Sequence, residues 1–133
     1  MRIHFAASIF FALFVATAFA STPRTYADAE SIWEQSKNNL AYATYLGEFT
    51  QFSNHFHLDE KDRCYALSAG TVNVLIVITH SDNNQFALVE EVFTDVDNLK
   101  ARCFKKSYAG IRTKIPPFFP FVLKMTMSGG DSA

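Results

Sequence analysis

The chain contains few of the residues that many catalytic motifs require. Its 133 residues include two cysteines, five glycines and one tryptophan. The cysteines, Cys64 and Cys103, are too far apart in sequence for a CxxC redox centre. No glycine-rich loop precedes a helix in the phosphate-binding manner, and no Gly-x-Ser-x-Gly nucleophile elbow occurs. The sequence therefore offers no local motif for phosphate binding or serine hydrolysis.

An excess of positive charge is also missing. The chain has 12 Lys and Arg residues against 13 Asp and Glu residues. Proteins that hold a phosphate backbone need clustered positive charge, so we expect no nucleic-acid partner. The adjacent pair Glu90-Glu91 should point to opposite sides of a strand, and it could not then flank one glycosidic bond. We predict no catalytic residues and no enzyme, although a site without a local motif remains an alternative.

Histidines and carboxylates form only one loose cluster. His55 and His57 lie two residues apart, His80 lies further along the chain, and three acids follow the pair, Asp59, Glu60 and Asp62. Imidazole and carboxylate groups can bind zinc, but this pattern defines no third ligand. The pair also lies near the predicted C-terminus of a helix, where a cationic histidine is favourable without any metal. We therefore expect no metal and no cofactor.

The first twenty residues have the pattern of an export signal. Arg2 precedes an apolar stretch that ends in Ala18-Phe19-Ala20, a small-x-small sequence that signal peptidase accepts. The stretch is shorter than the roughly 20 residues of a spanning helix. We predict cleavage after Ala20 and a periplasmic mature domain at 21–133, with an uncleaved anchor as the alternative. Without Arg2, 11 basic and 13 acidic residues give a net charge of −2.

An aromatic stripe at helical spacing predicts helix over 25–57. Thr25 or Asp28 could cap its start. Asn38-Asn39 and Gly47 are weak points, so two helices with a bend are as consistent with the pattern as one. Core packing explains the stripe better than a ligand surface. The stripe consists of Tyr42, Tyr45, Leu46, Phe49, Phe52 and Phe56. A polar connector is expected at 57–64.

Two β-rich segments then predict a hairpin. In "GTVNVLIVITH" one face holds Val72, Val74, Ile76 and Ile78, and the other holds Leu75 and Val77. Apolar residues on both faces are typical of a central strand covered on both sides. A turn at 81–84 leads to a second strand at 85–94, in which a bulge near Glu90-Glu91 would restore the alternation.

A helix is predicted next, over 95–110. Asp95 could cap it and Gly110 could end it in the left-handed conformation. Cys103 and Tyr108 share the expected buried face with Val96 and Leu99, whereas Lys100 and Lys106 should remain in solvent.

The stretch "IPPFFPFVLKMTM" alternates in polarity from Phe119 to Met127, which predicts a last strand. Its prolines lie at the beginning, where an edge strand tolerates them. The expected class is α+β: a three-stranded antiparallel sheet, strand-strand-helix-strand, packed under helices and preceded by an aromatic-rich helix or helix pair. Residues 128–133 are expected to form a flexible tail.

The residues Gly70-Thr71-Val72-Asn73-Val74, the hairpin, the cysteine-bearing helix and the proline-led last strand resemble the TonB C-terminal domain family. The similarity is greatest to its shorter relatives, with one cysteine before the first strand and one in the second helix. It spans Cys64 to Met127 and implies a periplasmic binding module, although function does not follow from fold alone. The sequence shows neither the family's anchor nor its proline-rich spacer, and Asp82-Asn83-Asn84 replaces the usual hairpin glycine.

An even number of cysteines in an exported chain predicts a disulfide between Cys64 and Cys103. It would tie the entrance of the first strand to the second helix. Two buried thiols and two reactive thiols are the alternatives.

Three functions remain open. The first is a non-enzymatic periplasmic module that binds a protein or peptide, with another envelope or secreted protein as partner. The alternative is a periplasmic inhibitor or immunity protein that blocks a secreted hydrolase, and the third is an enzyme or metal carrier. An edge strand can receive a partner strand, or the chain's own aromatic helix can cover it. The expected partner-binding residues are Phe118, Val122, Leu123, Lys124 and Thr126.

Overall fold

Helices cover both faces of one antiparallel sheet in the computed structural model. The structure describes residues 22–67 and 69–129, without the side chains of 53–62. The elements are α1 (Tyr26–Ser36), α2 (Leu40–Tyr65), β1 (Val72–His80), β2 (Ala87–Thr94), α3 (Leu99–Tyr108), β3 (Arg112–Thr113) and β4 (Phe121–Met127). The predicted signal segment, its cleavage site and residues 130–133 of the tail predicted at 128–133 lie outside the described residues. Among those described, no helix is long and apolar enough to cross a bilayer.

The sheet has four strands in the order β3-β2-β1-β4. Every neighbouring pair is antiparallel, and β1 lies between β2 and β4. The α+β class and the central position of β1 are therefore confirmed. The predicted number of three strands was wrong, because β3 pairs with β2 through only Arg112 and Thr113. Two residues are too few to show a period of two in the sequence.

The hairpin of β1 and β2 contains the predicted bulge. Val77 faces Glu91 and Ile78 faces Val89, so Glu90 is the additional residue. The turn between the strands places Asn84 at a φ of 55°. Asparagine is one of the few residues other than glycine that adopt this left-handed conformation readily.

The two faces of β1 pack into separate cores, as its composition predicts. Its even-numbered residues from Val72 to Ile78 lie in the larger core with the side chains of α2 and α3. Leu75 and Val77 lie in the smaller core, against Ala29 of α1. Leu75 and Val77 are fully buried, so β1 is covered on both sides.

The helical segment before β1 is two helices. Thr25 caps α1 by accepting a hydrogen bond from the N–H of Asp28, and Asn39 caps α2 in the same way. The chain breaks at Asn38-Asn39, one of the two weak points, so the two-helix alternative is correct, whereas the other weak point, Gly47, lies inside α2. The polar connector predicted at 57–64 was wrong, because α2 continues to Tyr65. Residues 48–65 contain no proline or glycine that would stop a helix.

The predicted phase of α3 was right for Tyr108, which is buried, and for Lys106, which is exposed, but wrong for Leu99 and Lys100. Leu99 is 63% exposed, whereas Lys100 is fully buried. The Lys100 ammonium donates hydrogen bonds to the carbonyls of Gly70 and Gly129, at 2.9 and 2.6 Å. These acceptors compensate part of the cost of burying the charge. The buried face of α3 consists of Lys100, Ala101, Phe104, Ser107 and Tyr108.

The ends of α3 agree only in part with those predicted from the sequence. Asn98, rather than Asp95, caps the helix by accepting from the N–H of Ala101. The Asp95 carboxylate instead accepts from the backbone and side-chain N–H groups of Asn73, at 2.9 and 2.7 Å. Gly110 has a φ of 75°, as a left-handed stop requires.

The predicted disulfide between Cys64 and Cys103 is present, with 5.4 Å between the two Cα atoms. Cys64 lies in the last turn of α2, and not at the entrance of β1 as expected. The crosslink therefore joins α2 to α3, the two helices that cover the same face of the sheet.

Candidate functional site

The strand β4 forms one edge of the sheet, with β1 as its neighbour on one side. The N–H of Lys124 points away from β1, because it donates to the Tyr42 hydroxyl at 3.3 Å. Backbone groups alternate in direction along an antiparallel strand. The N–H and C=O groups of Val122 and Thr126 therefore also point away from β1, although Val122 is fully buried.

The junction of α1 and α2 covers the middle of this edge. The Tyr42 hydroxyl, at the start of α2, accepts the N–H of Lys124 and also the indole N–H of Trp33 at 2.8 Å. Burial raises the pKa of the Tyr42 hydroxyl, so this group stays neutral well above pH 7. A partner strand cannot bond the N–H of Lys124 unless Tyr42 moves away.

The side chain of Lys124 strengthens this junction. Its ammonium donates to the Glu30 carboxylate at 2.9 Å and lies 4.4 Å from the centre of the Trp33 ring. The hydrogen bond to Glu30 raises the pKa of Lys124. Lys124 thus ties β4 to α1, and its side chain is only 19% exposed.

The other residues expected to bind a partner occupy different environments. The side chains of Val122 and Leu123 are fully buried, in the smaller and the larger core respectively. Thr126 is exposed, and its hydroxyl donates to the Asn73 amide oxygen at 2.9 Å. Phe118 is partly buried, with its ring 5.0 Å from that of Phe121. The backbone of Leu123 faces β1, so Leu123 offers a partner neither its side chain nor its main chain. Binding at these five positions stays a prediction.

A groove lies between α1 and the residues that precede β4. Its volume is about 580 Å³, within the roughly 300–1,000 Å³ range of ligand sites. The Phe119 ring on one wall packs against His80, with 3.6 Å between ring centres. The residues lining the groove are Asp28, Ser31, Ile32, Gln35, Ser36, Asn39, Phe118, Phe119 and Pro120. This set is called the α1 groove below.

The α1 groove joins residues that are remote in sequence. One wall repeats at helical spacing along α1, and the other wall is the apolar segment 118–120. Sequence reasoning singled out Phe118 and missed the α1 wall. Polar residues at helical spacing are also typical of any solvent-exposed helix face. The sequence therefore contained no signal that distinguishes this wall from ordinary surface.

Glu90 and Glu91 both line a second hollow, of about 420 Å³, beside Arg24. The expectation that they point to opposite sides was wrong, because the bulge at Glu90 interrupts the alternation of β2. Both side chains are exposed, and the Arg24 guanidinium lines the same hollow as a compensating charge. Solvated surface charge explains these residues.

Potential metal ligands do not converge in the part of the chain that is described. Within it, no three His, Cys, Asp or Glu residues are grouped so that they could hold an ion. The side chains of the cluster from His55 to Asp62 lie outside the described residues, so that pattern is not tested.

The chain was compared with models of protein families, with curated proteins and with solved structures, and none of these comparisons found a match. The resemblance to the TonB C-terminal domain family stays a prediction from the sequence.

Proposed function

We propose that this protein is an exported, non-enzymatic module that binds an extended segment of another protein, with a fold of the TonB C-terminal type. The bound segment lies in the α1 groove and continues along the start of β4. The observation that supports this proposal most directly is the position of the groove, which borders an edge strand of the sheet.

Main-chain geometry favours an extended ligand. Pro120 lines the groove and β4 begins at the next residue, so Val122 lies two residues beyond the groove wall. The backbone N–H and C=O of Val122 point away from β1, on the Pro120 side of the Tyr42 contact, and Val122 is fully buried in the unbound protein. An extended peptide can pair with these groups by strand addition, the mode that many peptide-binding domains use, once the side chains that cover Val122 move aside. Tyr42 limits this pairing to the first part of β4.

The groove walls supply the remaining contacts that a peptide needs. Phe118, Phe119 and Ile32 offer apolar surface, whereas Ser31 and Gln35 offer hydrogen-bonding groups. Peptide sites typically combine backbone pairing with pockets for alternate side chains. The hollow beside Arg24 differs from the α1 groove because three of its six lining residues, Arg24, Glu90 and Glu91, are charged.

The covalent structure supports export. The bond between Cys64 and Cys103 persists in oxidising compartments, and bonds of this kind are rare in the cytosol. The pattern of the first twenty residues indicates the same route. Periplasmic localisation is part of the proposal.

Selection from a phage-displayed library of random heptapeptides tests the proposal. The mature protein should enrich peptides that share a sequence pattern. Ser31→Trp fills the groove with a large side chain from an exposed position of α1 and should abolish binding of those peptides. Lys105→Trp, at an exposed position of α3, is the matched control and should bind them normally. The thermal unfolding of both variants should match the wild type.

The absence of any enriched peptide would contradict the proposal. Equal binding by the Ser31→Trp variant and the wild type would also contradict it, because the ligand would then lie elsewhere.

A further inference from the structure

We infer that the segment bound in the α1 groove carries a lysine or arginine side chain that pairs with Asp28. This inference rests on the proposed function and specifies the chemistry of its ligand. It arises from the charge of the groove, and not from the strand edge.

Asp28 provides the formal charge of the groove. The nine residues of the lining include one ionisable carboxylate, that of Asp28, and no basic side chain. The other residues are hydroxyl, amide or apolar side chains, which carry no net charge. A ligand in the groove therefore meets a negative potential at the Asp28 end.

The other acidic residues of α1 already have cationic partners. Glu30 pairs with Lys124, and Glu34 pairs with Lys37. Asp28 is exposed, and none of the described residues forms an ion pair with it. Its carboxylate can accept a cation from a ligand without breaking an internal contact.

The basic residues next to this helix have other acidic neighbours. Lys37 and Lys124 lie over the Trp33 ring while they pair with glutamates. Arg24, two residues before α1, lines the hollow that also contains Glu90 and Glu91. A ligand carboxylate near Asp28 would be repelled, whereas a ligand ammonium or guanidinium would be attracted.

The apolar part of the groove suits the rest of a basic side chain. Lysine and arginine lay their aliphatic stems on apolar surface and keep the charged head in a polar environment. Ile32, Phe118 and Phe119 provide such a surface in the lining that also contains Asp28. An extended segment with one basic residue beside apolar residues fits both features.

A paired library selection tests the inference. Random heptapeptides are selected against the wild type, Asp28→Lys and Glu34→Lys, and the enriched peptides are sequenced. Wild type and Glu34→Lys should enrich peptides with a lysine or arginine at a fixed position. Asp28→Lys should enrich aspartate or glutamate there. Glu34 is the control because it is an exposed carboxylate of the same helix that does not line the groove.

Affinity measurements on one synthetic peptide complete the test. The peptide most enriched on the wild type should bind Asp28→Lys about tenfold more weakly, equivalent to about 1.4 kcal/mol. Its binding to Glu34→Lys should change less than about twofold, which is about 0.4 kcal/mol.

The outcomes separate this inference from the proposed function. Enriched peptides that Ser31→Trp fails to bind, but that lack a conserved basic residue, overturn the inference and leave the proposed function standing. A basic residue whose contribution persists in Asp28→Lys also overturns it. A selection without enrichment overturns the proposed function, and the inference with it.

Discussion

Removal of the Tyr42 hydroxyl tests how the edge of the sheet is closed. In Tyr42→Phe the ring remains in the larger core, where it stacks on Phe121 at 5.6 Å, and only the oxygen is lost. Two donors lose their acceptor, the indole N–H of Trp33 and the backbone N–H of Lys124. The substitution should therefore affect the edge of β4 without creating a large cavity.

The expected cost follows from these two bonds. A typical hydrogen bond contributes about 0.5–1.5 kcal/mol net, and a donor left unpaired in a dry site costs about 1–3 kcal/mol. Both bonds here are only partly buried, so water can reach the released donors. We expect the free energy of unfolding, measured with urea, to fall by about 1–2 kcal/mol. A typical domain has only about 5–15 kcal/mol in total.

Amide hydrogen exchange identifies the place of this effect. The Lys124 amide should exchange much faster in Tyr42→Phe than in the wild type. The Leu123 amide points towards β1, so its exchange should accelerate only as much as the lower global stability requires. Tyr26→Phe is the control, since the Tyr26 hydroxyl makes no hydrogen bond to a described residue. A Lys124 amide that stays as protected as Leu123 in Tyr42→Phe would refute the closure of the edge by Tyr42.

Three further predictions concern the rest of the fold. Leu99 is exposed and Phe104 is fully buried. In urea unfolding, Leu99→Ala should therefore lower the free energy of unfolding by less than about 0.5 kcal/mol and Phe104→Ala by about 3–5 kcal/mol. Similar losses in the two variants would show that the phase of α3 is wrong. Replacement of Cys64 and Cys103 by alanine opens a loop of 39 residues and should cost about 4 kcal/mol, while a variant as stable as the oxidised wild type would contradict this. Burial raises the pKa of Tyr45 from 10.0 in the unfolded chain to about 12 in the folded protein. As the pH rises from 10 towards 12, the unfolded chain loses the hydroxyl proton before the folded protein does, so the free energy of unfolding should fall. This fall should be smaller in Tyr45→Phe, which has no hydroxyl to ionise. If urea unfolding between pH 10 and 12 gives the same dependence of stability on pH for the variant and the wild type, the prediction is contradicted.

Local patterns predicted the parts of the fold that depend on neighbouring residues. The alternation in β1 indicated a strand buried on both faces, and the interruption at Glu90 indicated the bulge. Both follow from the period of two along a strand. The break between the first two helices was indicated less clearly, because Asn38-Asn39 and Gly47 were both weak points and one helix or two remained open.

The features that the sequence did not predict depend on contacts between distant residues. Lys100 looked like a surface residue, because its acceptors, Gly70 and Gly129, lie about thirty residues away on either side. The hydroxyl of Tyr42 meets the backbone of Lys124 across 82 residues. The α1 groove likewise joins the first helix to the segment before the last strand. Periodicity indicates which face of an element is apolar, but not which distant polar group will meet it.

The closure of the sheet edges bears on self-association. Exposed strand edges are the usual starting points for aggregation, because one copy can add its strand to another and repeat the addition. Here the middle donor of β4 is bonded to a tyrosine, and the opposite edge ends in β3, which has two residues. The middle of the β4 edge therefore lacks the uninterrupted row of free donors and acceptors on which a fibril grows. Self-association through the middle of β4 therefore requires Tyr42 to move away from Lys124 first.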